Sequence, residues 1–305
     1  MPRSEIIALF GPTAVGKTSV ALALAGGLRE LGEDPVAVSA DALQVYAGLE
    51  TLTGAPTAFE QEQLEHRLIS LVDVGETFSA GRYAELAHAE IDQLLSAGRR
   101  PILVGGTGLY LRAALTELSL RPPPPPGVRE RWTAELELRG PEALHALLTR
   151  RAPEVAARIE PGDRQRVVRA LELLDVGELT EPEQESELWT DAVRHPTLLV
   201  GLIMEREALY ARIEERVEEM VAAGAEDEVR RADAAGASAT AAKALGYAEL
   251  LSGDREAMKR RTRQYARRQL TWMRKLAGVH VVDLTGRAPA DVASEVLALW
   301  LTEAA

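Results

Sequence analysis

The sequence predicts an α/β protein with a parallel-sheet core and a helical insertion domain. In its first third, short and nearly continuous apolar runs alternate with helical patterns, as in sheets buried on both faces. Residues 11–18, GPTAVGKT, lie between the first apolar run and an Ala/Leu-rich helical stretch. Only helical patterns follow the proline run at 121–127, up to an acidic stretch at 178–189, before apolar strand patterns resume at 197. Together these features favour a doubly wound core interrupted once.

The elements of the core follow from local pattern. Ser79 is a suitable cap and Gly98 a suitable end for a helix over 79–98, whose apolar residues recur at helical spacing. A long basic helix is expected over 254–275, and a closing helix ends at 303. A further core helix is predicted over 205–224. The predicted strands are 6–10, 35–40, 66–72, 100–106, 197–204 and 279–284.

The domain boundaries rest on the proline run. Five consecutive prolines cannot continue a helix or a central strand, so RPPPPPG at 121–127 reads as a stiff connector. We therefore expect a core of residues 1–120 and 196–305 with a helical insertion at 121–195.

Composition excludes several classes of protein. The 305 residues carry 35 Lys and Arg against 47 Asp and Glu, a formal charge of −12, which argues against a nonspecific nucleic-acid coat protein. The absence of cysteine excludes disulfides, thiolate zinc sites and iron–sulfur clusters. No apolar run approaches the ~20 residues of a bilayer span. We expect a cytoplasmic protein without a membrane partner, and a monomer because no apolar helix is left unexplained.

The strongest motif is GPTAVGKT, which matches G-x-x-x-x-G-K-[ST] between a strand and a helix and indicates a P-loop NTPase-like core. Its backbone N–H groups and the helix N-terminus would hold phosphate oxygens, Lys17 would neutralise charge and Thr18 would ligate Mg²⁺. The motif does not say whether a nucleotide such as ATP or another polyphosphate is bound. The phosphate-binding residues are Gly11, Pro12, Thr13, Ala14, Val15, Gly16, Lys17 and Thr18.

Two further strand ends bear on the chemistry. Asp41 follows the second strand, where α/β sheets assemble ligand sites, and is either a helix cap or a base or metal partner facing the P-loop. The fourth strand ends in Gly105-Gly106-Thr107 and lacks the aspartate with which motor and switch proteins hold Mg²⁺. This absence argues against an ATP-hydrolysing motor.

Two clusters of basic residues allow an RNA interpretation. Arg164, Arg166 and Arg169 share a predicted helix with Gln165, either as solvated surface or as contacts to phosphate and base. Residues 259–275 hold eight Lys and Arg and no acid, with aromatic residues interleaved. Such a local reversal of charge is either a solvated helix face or an electrostatic footprint for nucleic acid.

Taken in order, the segments resemble the tRNA dimethylallyltransferase family over nearly the whole chain. The resemblance is carried by the P-loop and by SADALQVY, HRLISLVD, FSAGRYAELA, PILVGGTGLYLRAAL, RQRVVRALE, GELTE, YARIEERVEEMVAAG, ALGYAELLSG and TRQYARRQLTWMRK. It implies transfer of a dimethylallyl group from dimethylallyl diphosphate to the exocyclic amine of adenine at tRNA position 37.

The resemblance also implies residue roles. The P-loop would hold the donor's diphosphate with Lys17 and Mg²⁺, and Asp41 would be the general base. Thr13 and Thr107 would contact the amine or diphosphate, and Arg212 or Arg216 would add a cation. Contacts to the anticodon stem-loop are implied for Asp41, Ala42, Leu43, Gln44, Gln165, Arg166, Val167, Val168, Arg169, Lys243, Gly246, Tyr247, Arg267 and Arg268, and the insertion would embrace the stem.

The chain departs from the family pattern after Tyr46. Ala47 replaces the usual arginine, the T-A-K-P lysine is missing from LTGAPT, and Ala42 replaces a serine. The loss of two cations and a hydroxyl predicts weaker or altered tRNA or diphosphate contacts.

Two other functions remain open at this point. A small-molecule or nucleoside kinase would share the P-loop, the sheet and a helical lid, and would consume ATP. A nucleotide-gated RNA-binding protein would bind tRNA and leave it unchanged. Asp41→Ala discriminates, because only an enzyme that uses the carboxylate as a base loses turnover while keeping both ligands.

Overall fold

The computed structural model describes residues 4–121, 123–179 and 187–302. The chain forms two compact units, one from the residues before 121 and after 186, the other from residues 121–186. We call them the core unit and the helical unit.

The core unit is built on a parallel sheet, and its described strands follow the order β3-β2-β4-β1-β5-β6. The central strand β1 pairs with β4 through Ile7 and Ile102 and with β5 through Ile7 and Leu198. The strands are β1 (Ile6–Phe10), β2 (Pro35–Ser39), β3 (His66–Arg67), β4 (Arg100–Gly105), β5 (Thr197–Ile203) and β6 (His280–Asp283).

Helices cover both faces of this sheet, which explains the continuous apolar runs. Successive residues of β1 point to opposite faces: Phe10 packs in one cluster with Tyr83, and Leu9 in another with Leu24 and Trp300. The helices are α1 (Lys17–Glu30), α2 (Glu50–Thr53), α3 (Ala58–Gln63), α4 (Ala80–Ser96), α5 (Gly108–Leu115), α6 (Val128–Arg139), α7 (Pro141–Arg151), α8 (Pro153–Ala156), α9 (Arg164–Asp175), α10 (Arg206–Ala222), α11 (Ala225–Ala234), α12 (Tyr247–Leu251), α13 (Arg255–Met273) and α14 (Pro289–Thr302).

The element predictions are confirmed apart from boundaries and one strand. Ser79 caps α4 by accepting a hydrogen bond from Arg82 N, and Asp254 caps the basic helix α13 through Ala257 N. The predicted strand 66–72 is wrong beyond Arg67, because Leu68 and Ser70 adopt positive φ of 60° and 48° and turn the chain out of the sheet. Across the described ranges, no helix is long and apolar enough to span a bilayer.

The helical unit contains α6 to α9, and its small apolar core includes Trp132, Leu148 and Leu171. Glu172 on α9 is fully buried and accepts two hydrogen bonds from Arg129 of α6 and one from Arg169. The helical unit is therefore held together by a small apolar core and by an ion-pair cluster around buried Glu172.

The structure places residues 187–195 in the core unit, whereas the sequence predicts that they form the end of the insertion. Buried Arg112 donates to Thr190 Oγ1 and Ala192 O, and Trp189 packs against Trp272 with ring centroids 4.6 Å apart. Arg194 donates to carboxylates of the core. Isolated contacts of this kind leave no periodic apolar pattern in the sequence. Most of the acidic stretch 178–189 lies outside the described residues.

Candidate active site

A cavity of about 820 Å³ opens at the carboxyl ends of β1, β2 and β4. Loops after these strands form its floor, and α10 and α13 form its sides. In parallel sheets this edge collects ligand-binding loops from sequence-distant segments. Among the lining residues are Thr13, Gly16, Lys17, Thr18, Asp41, Leu43, Gln44, Gly54, Arg212, Arg216, Met220, Tyr265 and Gln269.

The P-loop joins β1 to α1 in an unusual backbone conformation. Ala14 and Gly16 both have positive φ, 66° and 104°, and Gly16 caps α1 without a side chain. Lys17 Nζ lies 3.0 Å from both Gly11 O and Pro12 O, to which it donates. The loop therefore presents its ammonium group and the N-terminus of α1 to the cavity, as an anion site requires.

Burial costs the Lys17 ammonium its hydration and lowers its pKa to about 8. Asp41 works in the opposite direction by Coulomb attraction, and Arg216 lowers the pKa further. A bound polyanion would restore the charged form.

Asp41 lies across the cavity from the P-loop. Its Oδ1 accepts a hydrogen bond from Leu43 N at 3.0 Å, which fixes the carboxylate at the end of β2. Within the described part of the chain, no hydrogen bond to Oδ2 is found. The neighbouring Ala42 N donates to Thr107 Oγ1 at 3.4 Å, so Thr107 contacts the backbone directly after Asp41.

The structure separates the two candidate arginines. Arg212 is exposed, and its Nη1 lies 3.5 Å from Val15 O. Arg216 is more deeply placed: burial lowers its pKa, and its buried Nε has no partner among the described atoms. Its guanidinium packs so closely on Gly54 that a Cβ there would lie 1.9 Å from Nη2. Arg216 is thus a desolvated cation aimed into the cavity.

Two residues of α13 that the sequence did not single out as site residues contact the loop after β4, and one of them, Gln269, also contacts the P-loop. Gln269 accepts a hydrogen bond from Thr13 N and donates one to Gly106 O, both at 2.8 Å. Tyr265 Oη lies 3.3 Å from Thr107 Oγ1, and burial, followed by the charge of Asp41, raises its pKa to about 12. One feature of the sequence could have identified Gln269: it is a polar residue at a position that helical spacing places on the buried face of the helix.

Part of the cavity lining is apolar. Met220 lies beside Arg216, since both side chains come within 3.2 Å of the same point at Gly54. The wall continues through Leu43, Leu52, Pro56, Ile213, Val217, Leu245 and Met258. An anion site therefore adjoins a surface suited to a short hydrocarbon chain.

The donor set for a metal is sparse. In the described ranges no three His, Cys, Asp or Glu side chains group closely enough to hold an ion. Thr18 lines the cavity beside Lys17. A hydroxyl alone fits a Mg²⁺ ion whose other ligands are phosphate oxygens and water.

The residues predicted to contact RNA are not all accessible. Val167 is fully buried and Val168 is 8% exposed, because both pack in the core of the helical unit. Tyr247 is 3% exposed, and its hydroxyl donates to Asp233 Oδ1, so its ring has no open face for stacking. Gly246 is buried against Met258 at the start of α12.

Other predicted contacts are used inside the protein. Both ends of the Gln44 amide are engaged, with Ser39 Oγ at 2.9 Å and Gly54 O at 3.1 Å, so Gln44 holds the loop under Arg216. Arg169 pairs with buried Glu172. The side chains left exposed are Gln165, Arg166, Lys243, Arg267 and Arg268.

The fold and the loop define a P-loop α/β protein whose site joins an anion cradle, a carboxylate and an apolar wall. A family model described as IPP transferase matches residues 44–276. The chain belongs to this family.

Individual relatives agree. The chain is 43% identical over 311 residues to a tRNA dimethylallyltransferase of Kineococcus radiotolerans, covering 98% of this chain and 97% of the relative. Among solved structures, a full-length tRNA isopentenylpyrophosphate transferase of Bacillus halodurans is 33% identical, with a TM-score of 0.68 and 98% and 95% coverage. A eukaryotic dimethylallyltransferase acting on tRNA shares the fold, with a TM-score of 0.73, 24% identity and 98% and 78% coverage.

Proposed function

We propose that this chain transfers a dimethylallyl group from dimethylallyl diphosphate to the exocyclic amine of adenine at tRNA position 37. One observation carries the proposal. A single cavity places a P-loop and two arginines next to an apolar wall, with the Asp41 carboxylate facing them. The names of the relatives support prenyl transfer to tRNA and not the kinase alternative.

The donor fits the two halves of the cavity. Its diphosphate would lie on the P-loop amides, Lys17 and Arg216, and its five-carbon chain against Met220 and the neighbouring apolar residues. Charge-assisted hydrogen bonds strengthen as negative charge builds on the departing diphosphate.

The acceptor side requires a base. The amine nitrogen attacks the allylic C1 of the donor, a C–N bond forms, and the C–O bond to diphosphate breaks. Asp41 is the residue placed to accept the amine proton, and Thr107 supports it through Ala42 N. Thr13 lines the same floor and supplies a hydroxyl near the diphosphate.

Magnesium would supply charge neutralisation at the diphosphate. Thr18 is the protein ligand in this proposal, and diphosphate oxygens and water complete the set. Lys17 and the arginines would carry the rest of the compensating charge.

The RNA would present its adenine out of the stack, which costs a few kcal/mol and less in a loop than in a duplex. Exposed arginines on α13, Arg267 and Arg268, are the cations proposed for the phosphates beside the anticodon. Exposed residues of α9 are proposed for the stem. We place the monomeric enzyme in the cytoplasm with its tRNA.

The test is an assay of the purified protein with unmodified tRNA, Mg²⁺, dimethylallyl diphosphate and ATP, followed by nucleoside mass spectrometry. We expect dimethylallyl-adenosine with ATP intact. Asp41→Asn should lower kcat about 10²–10⁴-fold, while the affinities for donor and tRNA stay within about threefold.

Asp73→Asn is the matched control. Asp73 Oδ1 accepts from Gly75 N at 2.8 Å in the same i to i+2 pattern as Asp41, but the side chain is exposed outside the cavity. Its kcat should equal that of the unmodified sequence. Consumption of ATP without modified adenosine would favour the kinase, and full activity of Asp41→Asn would refute the base assignment.

A further inference from the structure

Helix α13 touches the P-loop through one buried amide. Gln269 is 4% exposed, and it bridges the P-loop and the end of β4. Its orientation is fixed by its partners: Thr13 N is a donor and requires Oε1, and Gly106 O is an acceptor and requires Nε2. Gly106 leaves room for this bridge, because a Cβ there would lie 2.2 Å from Nε2.

The peptide that Gln269 holds is the one that holds Lys17. Thr13 N and Pro12 O belong to the same planar peptide group. Gln269 accepts from the nitrogen of this group, and Lys17 Nζ donates to its oxygen at 3.0 Å. Rotation of the peptide would break both bonds. The amide of Gln269 therefore sets the direction of the carbonyl that orients the ammonium.

We propose that Gln269 is a positioning residue for the donor site, acting on Lys17 through the Pro12–Thr13 peptide and on the loop after β4 through Gly106. It rests on the proposed function, in which Lys17 binds the donor's diphosphate. Gln269 touches neither substrate in this role. It keeps a lysine with a flexible stem at one position, so the ammonium loses less conformational entropy when the anion binds.

The first test replaces the amide by an apolar side chain of similar length. Gln269→Met removes both hydrogen bonds, and we expect Kd for dimethylallyl diphosphate and for inorganic diphosphate to rise about tenfold in calorimetry with Mg²⁺. The KM for tRNA should change less than twofold. Gln264→Met, on the exposed side of the same helix, is the matched control and should leave both unchanged.

A second variant supplies a readout that general destabilisation would not move. The side chain of Gln269→Glu has nearly the same shape. When protonated it can accept from Thr13 N and donate to Gly106 O, whereas the carboxylate cannot donate and attracts Lys17 away from the ligand. Donor affinity relative to the unmodified sequence should therefore be near one at pH 5 and fall about tenfold by pH 8. Gln269→Met should show a flat ratio.

The outcomes distinguish a failure of the proposed function from a failure of the positioning role alone. If the unmodified sequence binds neither dimethylallyl diphosphate nor diphosphate, the proposed function fails and the inference fails with it. If it binds both and Gln269→Met binds equally well, only the positioning role is overturned. The same holds if the KM for tRNA rises as much as donor Kd, or if the Gln269→Glu ratio does not depend on pH.

Discussion

The basic side chains of the cavity and those of the helical unit differ in whether a carboxylate neutralises them. In the described part of the chain, the ion pairs found do not include Lys17, Arg212 or Arg216, although Asp41 shares their cavity. In the helical unit, by contrast, arginines are paired with carboxylates: Arg129 and Arg169 with Glu172, and Arg131 and Arg151 with Asp175.

This difference indicates that the unpaired cations serve ligand binding and the paired cations serve the stability of the fold. A partly buried cation without a carboxylate destabilises the ligand-free protein, because desolvation is not compensated. Such a cation is expected where an anionic ligand supplies the missing counter-charge. A cation paired with a buried carboxylate already has its counter-charge and stabilises the packing of its own helices. Substitutions in the two regions should therefore affect different quantities.

The largest effect is expected at the unpaired guanidinium. Arg216→Met should raise Kd for dimethylallyl diphosphate about 100-fold, close to 2.7 kcal/mol, because a desolvated charge-assisted contact is lost. Calorimetry measures this directly. Arg151→Met, which removes a paired arginine in the helical unit, should leave donor Kd unchanged. Equal losses in both variants would break the distinction.

The converse substitution removes the buried counter-charge. Burial works to raise the pKa of Glu172, but hydrogen bonds from Arg129 and Arg169 outweigh it and lower that pKa. The stability supplied by the cluster is therefore present above the ordinary pKa of a glutamate and is lost as the pH falls through the lowered one.

Glu172→Gln should destabilise the helical unit by about 2–3 kcal/mol at pH 7, measured by hydrogen exchange. Glu135→Gln, at the exposed pair with Arg139, is the control and should cost under about 1 kcal/mol. Donor Kd should not change in either variant. A shift in donor Kd with Glu172→Gln would show that the two regions are coupled.

A third expectation concerns pH. The Lys17 pKa of about 8 lies below the ordinary 10.5, so the ligand-free protein gains stability as the pH rises between these values. The anionic donor needs the ammonium form, so its affinity should fall about fivefold from pH 8 to pH 9. Lys17→Arg stays protonated and should show no such fall. A flat profile in the unmodified sequence would contradict the lowered pKa.

The sequence predicts the strand and helix positions of the core because local signals determine them. Apolar runs, the Ser79 cap and the P-loop spacing need no information from elsewhere in the chain. The strand after Glu65 ends at Arg67, short of the predicted residue 72, because the turn at Leu68 depends on pairing with residues 44–46: Leu71 N and Val72 N both donate to Val45 O. No local pattern reports such a contact.

The candidate site likewise contains residues that local sequence predicts and residues that only the fold brings into place. Asp41 and Lys17 follow from motif and strand end, whereas Gln269 lies 256 residues from Thr13, and only the fold brings them together. The family segment predicts an RNA contact for Tyr247, whereas in the structure the Tyr247 side chain is buried and its hydroxyl donates to Asp233 Oδ1. A family segment indicates which region matters; burial decides which side chain is available.

The smallest effect tests whether every paired arginine of the helical unit serves the fold alone. The Arg166 side chain is 70% exposed, and its Nε lies 3.6 Å from Asp163 Oδ2. Such a pair contributes little stability, so a phosphate could replace its carboxylate at low cost. Arg166→Met should change stability by less than about 0.5 kcal/mol, weaken tRNA binding about threefold and reduce the salt slope of binding by about one.

Arg139→Met is the control for Arg166, because Arg139 forms a solvent-accessible pair with Glu135 outside the α9 segment. A smaller loss of tRNA affinity in this variant would make the effect of Arg166 local. Equal losses would indicate a diffuse charge effect, and the exposed arginines of α9 would then have no specific part in RNA binding. A loss confined to Arg166→Met would show instead that the exposure of the carboxylate partner, 34% for Asp163 against 0% for Glu172, decides whether a paired arginine is available to RNA.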